Sequence, residues 1–216
     1  MDLGVNDKFA EDRDCGAAMN AGDDADRRQH ARSMRVMRVA RVAAPELHAE
    51  GLGMVRDVSP GGIMIDAHFE LDLGQTVSIA LLDDQELTGT VAWKEGRMVG
   101  IRFAEEIPVD QILAKPSVKS DGRRARLPRF TVSKTVQLRL DTVITEASLC
   151  DLSQRGAKLQ CAGKFRVHSN LLIRVAQHRP IGATIKWRAG DMIGVEFHRL
   201  LAISELELWL KPEDAA

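Results

Sequence analysis

The chain has 216 residues, a length that suits two domains of about 100 residues better than one small β domain. Apolar residues make up 44% and charged residues 28% of the sequence, a composition that excludes a disordered or fibrous protein. Aromatic residues make up only 4%, with no tyrosine, which argues against a surface that binds single-stranded nucleic acid by stacking on its bases.

The net charge of −1 conceals a strong asymmetry near the N-terminus. Residues 1–26 carry eight acidic and two basic residues, a net charge of −6, and we interpret this segment as a disordered acidic tail. Residues 27–41 carry six arginines and no acidic residue. This contrast predicts a local anion-binding site.

The three cysteines, Cys15, Cys150 and Cys161, cannot form a fully paired disulfide framework, and no two of them form a Cys-x-x-Cys pair. Acidic residues stand where a signal peptide would carry basic ones. No apolar run approaches the roughly 18 residues that a membrane span requires. We therefore expect a soluble protein of the reducing cytoplasm.

An internal repeat at an offset of 94 residues organises the chain. The motif Asp57-x-Ser59-x-x-Gly62 recurs as Asp151-x-Ser153-x-x-Gly156. Later in each half, residues 90–93 correspond to 184–187 and residues 100–103 to 194–197. A register held over roughly 45 residues indicates a tandem duplication.

Short segments of alternating apolar and polar residues follow, a pattern typical of half-buried antiparallel strands. They include residues 77–81 and 87–93 in the first copy and 171–175 and 183–187 in the second. Turn-forming residues such as Asp83-Asp84, Glu95-Gly96 and Ala189-Gly190-Asp191 separate them. The pattern predicts an all-β fold with five or six strands per copy, arranged as a sandwich or a small barrel.

A short helix is expected at the end of each copy. Pro108 can occupy a first helical position ahead of Val109–Ala114. Leu200–Lys211 places Ile203, Leu206 and Leu210 on one helical face. The predicted boundaries are an acidic tail at 1–26, a first domain at 27–114, a linker at 115–122 and a second domain at 123–216.

Two motifs of the first copy carry a resemblance to a known family. Arg28-x-x-x-Arg32 precedes the first strand, and Asp57-x-Ser59-x-x-Gly62 lies at a turn between two later strands. The strands of Trp93 and of Gly100-x-x-Phe103 come next. In this order of motifs and strands, the sequence closely resembles the PilZ domain, the bacterial receptor for the second messenger cyclic di-GMP. The resemblance covers residues 27–105 well and 123–199 as a partly degenerate copy, and it implies two tandem PilZ-like antiparallel β-barrels.

The implied ligand fits the arginines chemically. Cyclic di-GMP presents two phosphates and two guanine Hoogsteen edges, and a guanidinium pairs bidentately with phosphate or with guanine O6 and N7 and stacks on rings. Residues four apart in an extended segment project to one side, so Arg28 and Arg32 can contact one ligand together. Arg27 adds a group compatible with ligand bound as a self-intercalated dimer.

The resemblance also assigns roles to the turn motif. The Asp57 carboxylate would accept hydrogen bonds from guanine N1–H and N2–H₂. Ser59 would donate to a phosphate or hold the turn. Gly62, and Gly61 beside it, would supply a positive φ or the missing Cβ that lets backbone amides approach the ligand.

The second copy departs from the arginine pattern, because no two arginines of residues 123–130 are four positions apart. If Arg129 is the second arginine of the pair, Ala125 occupies the first position. If the strict offset of 94 holds, Arg126 matches Arg32 and Gly122 matches Arg28. One arginine is missing in either case, and the residues that remain form a degenerate second candidate site: Arg126, Arg129, Asp151, Ser153 and Gly156.

The resulting hypothesis is a receptor in which ligand binding orders the arginine arm, the segment that carries Arg27, Arg28 and Arg32, or changes the angle between the barrels, and so signals to an unidentified protein target. A ligand-independent adaptor of two barrels and a basic nucleic-acid-binding barrel are the alternatives, with nucleic acid the less expected partner.

Catalysis and metal binding are not expected. The sequence contains no nucleophile elbow, Walker loop or zinc-protease helix, and the six histidines lack metal-ligand spacing, so we expect no cofactor apart from the ligand. Trp93 and Trp187 lie on apolar strand faces and are expected in the core. Gly100 and Gly194 are expected at close-packing or bulge positions.

Overall fold

Each half of the chain folds into a closed barrel of six antiparallel strands in this computed structural model. The structure describes residues 34–47, 49–83, 85–113, 126–176 and 178–211. The prediction of an all-β fold with two tandem barrels and short helices is confirmed. The acidic tail, the linker and the arginines at 27, 28 and 32 lie outside the described residues, and the domain boundaries stay predictions.

The first barrel has the strand order β1-β2-β3-β6-β5-β4, closed by pairing of β4 with β1. Closure pairs the edge strands with each other, so the sheet has no open edge there. Its elements are β1 (Met34–Ala44), a 3₁₀ turn (Pro45–Leu47), β2 (Ala49–Ser59), β3 (Gly62–Ala67), β4 (Thr76–Leu82), β5 (Gln85–Glu95), β6 (Met98–Phe103) and the helix α1 (Val109–Ile112).

The second barrel repeats this order as β7-β8-β9-β12-β11-β10, closed by β10 with β7. Its elements are β7 (Phe130–Leu140), β8 (Val143–Ser153), β9 (Gly156–Gln160), β10 (Asn170–Arg174), β11 (Ile181–Ala189), β12 (Met192–Phe197) and the helix α2 (Ile203–Leu210). In both barrels the alternating apolar residues point inward and form the core, among them Val77, Ile79, Leu171, Ile173 and Ile185.

The offset of 94 holds from β2 to β6 but fails in the first strand of each barrel. Arg35 lies opposite Asp57, whereas Thr131 lies opposite Asp151, which makes the offset there 96. The cause is the connection to the next strand, which is two residues longer in the first barrel (45–48) than in the second (141–142). With an offset of 96, neither Arg126 nor Arg129 matches Arg32, so the register of the first strands supports neither alignment.

The two barrels form one compact unit by their contacts. Val39 of β1 and Leu52 of β2 belong to the hydrophobic cluster of the second barrel. The amide of Thr131 donates to Glu50 Oε1 at 2.7 Å. Strands β1 and β2 of the first barrel therefore contribute directly to its contact with the second.

Two further contacts join the barrels. The amide of Asp83, after β4, donates to the carbonyl of Arg126 at 2.9 Å. His68 Nδ1 lies 3.1 Å from Glu207 Oε2 on α2. The C-terminal helix therefore contacts both barrels.

Helix α2 is shorter than the predicted Leu200–Lys211. Leu206 and Trp209 are its fully buried residues, and the Trp209 ring lies edge-on to Phe197 with centroids 5.7 Å apart. At the start of α2, the Glu205 carboxylate accepts a hydrogen bond from the Ala202 amide at 2.9 Å and forms an ion pair with the Arg199 guanidinium. A carboxylate in the first turn satisfies an amide that has no partner within the helix.

Glu205→Gln tests this cap. The Arg199 guanidinium holds the pKa of Glu205 at about 2, below its usual 4.5, so the carboxylate stabilises the fold fully above pH 4.5 and loses that contribution as the pH falls toward 2. We expect the variant to lose about 0.5–1 kcal/mol of unfolding free energy at pH 7 in urea denaturation, with a smaller loss at pH 3.5. Glu105→Gln, at an exposed position, is the control, and a loss independent of pH would contradict the assignment.

Candidate functional site

A serine holds the turn between β2 and β3 in the first barrel and the equivalent turn between β8 and β9 in the second. Ser59 Oγ donates to the Gly62 carbonyl at 3.2 Å. Ser153 Oγ donates to the Gly156 carbonyl at 3.1 Å and accepts the Gly156 amide at 3.2 Å. Ser59 therefore makes the turn contact that the sequence indicated, while its donation to a phosphate stays a prediction.

Gly62 serves a close approach between strands. Neither Gly61 nor Gly62 has a positive φ. A Cβ on Gly62 would lie 2.5 Å from the Ile101 carbonyl oxygen on β6, and a Cβ on Gly156 would collide with the equivalent Val195 carbonyl. A Cβ on Gly61 would meet nothing within 4 Å. The positive φ expected for Gly62 is wrong, and its missing Cβ makes room for the β6 backbone. The approach of its backbone amide to a ligand stays a prediction.

Gly62→Ala and Gly61→Ala form a matched pair that tests this difference. The backbone carbonyl of Ile101 cannot yield without displacing β6, so we expect Gly62→Ala to cost about 1–3 kcal/mol of unfolding free energy. Gly61→Ala should lie within about 0.5 kcal/mol of the parent protein. Urea denaturation followed by circular dichroism measures both, and equal values for the two variants would refute the close-approach explanation.

The expectation that Trp93 and Trp187 lie in the core is wrong. A bulge interrupts the pairing of β5 with β6 between Val91 and Trp93, and the extra residue turns the Trp93 side chain outward, where it is 42% exposed. It covers Gly100, where any Cβ would overlap the indole ring.

The second barrel repeats this arrangement. A bulge lies between Ile185 and Trp187, and the Trp187 indole covers Gly194 and is also 42% exposed. The prediction of close packing or bulges at Gly100 and Gly194 is confirmed.

An open cavity of about 310 Å³ lies on the first barrel beside the β2–β3 turn. It brings together four residues of the predicted site with two that the sequence analysis did not assign to a site: Asp57, Ser59, Gly61 and Gly62, then Trp93 and Arg102. Arg102 precedes Phe103 in the Gly100-x-x-Phe103 segment, and its charge within an otherwise apolar strand was the signal that the sequence offered. The cavity combines a carboxylate, a hydroxyl, a guanidinium and an aromatic ring.

Asp57, which lines this cavity, carries an unsatisfied oxygen. Its Oδ1 is buried and has no hydrogen-bond partner among the residues that the structure describes. A buried carboxylate oxygen without a donor is costly, because the group has lost water and gained nothing in return. The site therefore favours a ligand that brings a hydrogen-bond donor to Asp57.

The equivalent carboxylate of the second barrel is already paired. Asp151 accepts a hydrogen bond from Arg129 Nη1 at 2.8 Å, and Lys158 Nζ lies 3.5 Å from its other oxygen. Ser153 and Gly156 lie at the same turn, so four of the five residues of the degenerate candidate site come together. Arg126 instead contacts the first barrel through its backbone carbonyl.

The family-model comparison identifies both barrels. A model described as PilZ domain matches residues 26–115 and again residues 123–210. Since these matches cover more than half of the sequence, the chain belongs to the PilZ family, with two copies of the domain in tandem. No curated protein matches the chain.

Solved structures of low sequence identity are similar to the chain. PlzA of Borreliella burgdorferi in complex with c-di-GMP is 10% identical, with a TM-score of 0.37 over 87% of this chain and 97% of that one. The Bacillus subtilis inhibitor of motility MotI/DgrA is 13% identical, with a TM-score of 0.30 over 82% and 94%. YcgR from Escherichia coli in complex with c-di-GMP is 13% identical, with a TM-score of 0.27 over 80% of each chain.

Two further observations concern the described part of the chain alone. Neither of its helices is long and apolar enough to cross a bilayer. Within the same residues, no group of three or more histidine, cysteine, aspartate or glutamate side chains is placed to hold a metal ion.

Proposed function

We propose that this chain is a bacterial, cytoplasmic receptor for cyclic di-GMP, without catalytic activity of its own. Ligand would bind at the first barrel, and the residues proposed to hold it are Arg27, Arg28, Arg32, Asp57, Ser59, Gly61 and Gly62. The observation that carries the proposal is the buried oxygen, without a partner among the described residues, of Asp57, a residue that lines the cavity beside the PilZ turn motif. PilZ-domain proteins act as binding effectors rather than enzymes, which supports the absence of catalysis.

The ligand's chemistry matches the cavity group by group. Guanine N1–H and N2–H₂ supply the donors that Asp57 lacks. The exposed Trp93 indole offers a flat apolar face on which a purine can stack. The three arginines upstream of β1 would bind the phosphates and the Hoogsteen edges, with one ligand or an intercalated pair between them.

Calorimetric titration of the full chain with cyclic di-GMP tests the proposal. We expect saturable binding that falls roughly 10-fold to 100-fold in Asp57→Ala, because a charge-assisted hydrogen bond is lost. Arg28→Ala and Arg32→Ala should weaken binding comparably. Asp151→Ala, the matched substitution in the second barrel, should leave the affinity unchanged.

Control ligands separate the alternatives. GMP should bind weakly, and duplex DNA should not bind. Absence of binding to cyclic di-GMP would favour the ligand-independent adaptor. DNA binding that weakens steeply with salt would favour the nucleic-acid barrel.

The contacts between the barrels support a signalling route. Strand β1 follows the arginine arm directly in sequence, and β2 carries Asp57. In the same two strands, Val39 and Leu52 pack in the hydrophobic cluster of the second barrel. Glu50, in β2, accepts a hydrogen bond from the Thr131 amide. Ligand held between the arm and Asp57 would therefore act on the strands that contact the second barrel, change the angle between the barrels and alter the surface offered to a protein target.

Amide hydrogen exchange tests this route. The Asp83 and Thr131 amides donate across the barrel contact, so we expect their protection to fall when cyclic di-GMP binds. The Ile185 amide, bonded to Ser169 within the second barrel, should be unaffected. Unchanged exchange at Asp83 and Thr131 in the saturated complex would refute the proposed reorientation, and Asp57→Ala with added ligand is the negative control.

A further inference from the structure

The turn cleft of each barrel is taken as the surface beside its motif turn, β2–β3 in the first barrel and β8–β9 in the second. The two turn clefts differ in charge at equivalent positions. Arg102 lies opposite Gly62 and Thr90 in the first barrel, and Glu196 lies opposite Gly156 and Thr184 in the second. The strand registers make Arg102 and Glu196 equivalent. An arginine therefore stands beside the motif turn of one barrel where a glutamate stands in the other.

In the second barrel this glutamate is neutralised by its neighbours. Glu196 pairs with Lys186 Nζ at 3.1 Å and with Arg155 Nε at 3.2 Å. Hydrogen bonds from Lys186 and Arg155 hold the pKa of Glu196 below its usual value. Together with the pairing of Asp151 to Arg129 and Lys158, each acid of this cleft has two cationic partners.

Three of these four cations are replaced by uncharged residues in the first barrel. Gly61 stands in place of Arg155, Ala92 in place of Lys186 and Met64 in place of Lys158. Arg102 is exposed and forms no ion pair with any described residue, and it lines the cavity that contains Asp57. The cleft thus presents a cation that is free to bind an external anion.

We propose that Arg102 is a further ligand-binding residue of the first barrel, where its guanidinium binds a phosphate oxygen of the cyclic dinucleotide. This inference rests on the proposed function and assigns it a residue outside both sequence motifs. It also makes position 102 a determinant of which barrel binds, because the second cleft carries Glu196 there and satisfies its charges internally. A guanidinium suits this role because it forms two parallel hydrogen bonds to a phosphate.

Calorimetry of the full chain with cyclic di-GMP at low and high salt tests the role of Arg102. Arg102→Ala should weaken binding about 10-fold at low salt, with a smaller ratio at high salt because the lost contact is electrostatic. Arg102→Glu, which copies the charge of the second barrel without its cations, should weaken binding further. Arg174→Ala makes the same change in net charge outside both clefts and should change affinity less than about two-fold.

The outcomes separate this inference from the proposed function. An unchanged melting temperature for Arg102→Ala assigns its effect to the ligand, since the side chain is exposed. Parent-like affinity of Arg102→Ala would overturn the role of Arg102 and leave the receptor standing. Equal weakening by Arg102→Ala and Arg174→Ala would show that the loss of affinity comes from net charge alone, and it would also overturn the role of Arg102. If the parent protein does not bind cyclic di-GMP, the proposed function fails and this inference fails with it.

Discussion

The close approach of β3 to β6 at Gly62 is the constraint on which the site depends. Because a Cβ there would reach the Ile101 carbonyl, glycine alone lets the two strands pair at the motif turn. That pairing places Arg102 directly across from Gly62 and beside the Ser59 turn. The β5 bulge then turns the Trp93 ring outward over Gly100 and into the same cavity. Backbone geometry thus assembles the cavity, and side chains decide what it can bind.

Comparison of the two barrels shows that the backbone geometry of the turn can be kept while the charged side chains beside it change. Both copies keep the turn serine, the close-approach glycine and the tryptophan over a glycine. They differ in the outward-facing charges, which do not enter either core. Ion pairs at such exposed positions contribute little to stability, so their identity is free to change while the fold persists. The pairing of Asp151 with Arg129 leaves the second cleft internally satisfied, whereas Asp57 retains an oxygen that lacks a donor among the described residues.

Much of the architecture follows from local pattern. Alternation predicted strands such as β4 and β10, and the repeated motif predicted the equivalent turns, because both signals depend on residues near one another in sequence. The outward Trp93 could not be predicted in this way, since period-two alternation assumes an uninterrupted strand and one bulge residue reverses every side chain after it. The ion pairs of Asp151 and Glu196 join four different strands, a turn and the segment before β7, and only the assembled barrel brings them together. The offset of 96 arose from a longer connection that no motif marks.

The outward tryptophans give the molecule a native optical probe at each cleft. Of the three indoles, those of Trp93 and Trp187 are 42% exposed, while that of Trp209, on α2, is buried against Phe197. An indole in water emits at longer wavelength than one in an apolar core, so the emission of the folded protein divides into a cleft component and an interior component. The first reports on solvent and quencher access at the two turns, and the second on the integrity of the C-terminal helix. One spectrum therefore follows the binding surfaces and the fold of this protein separately, without any attached label.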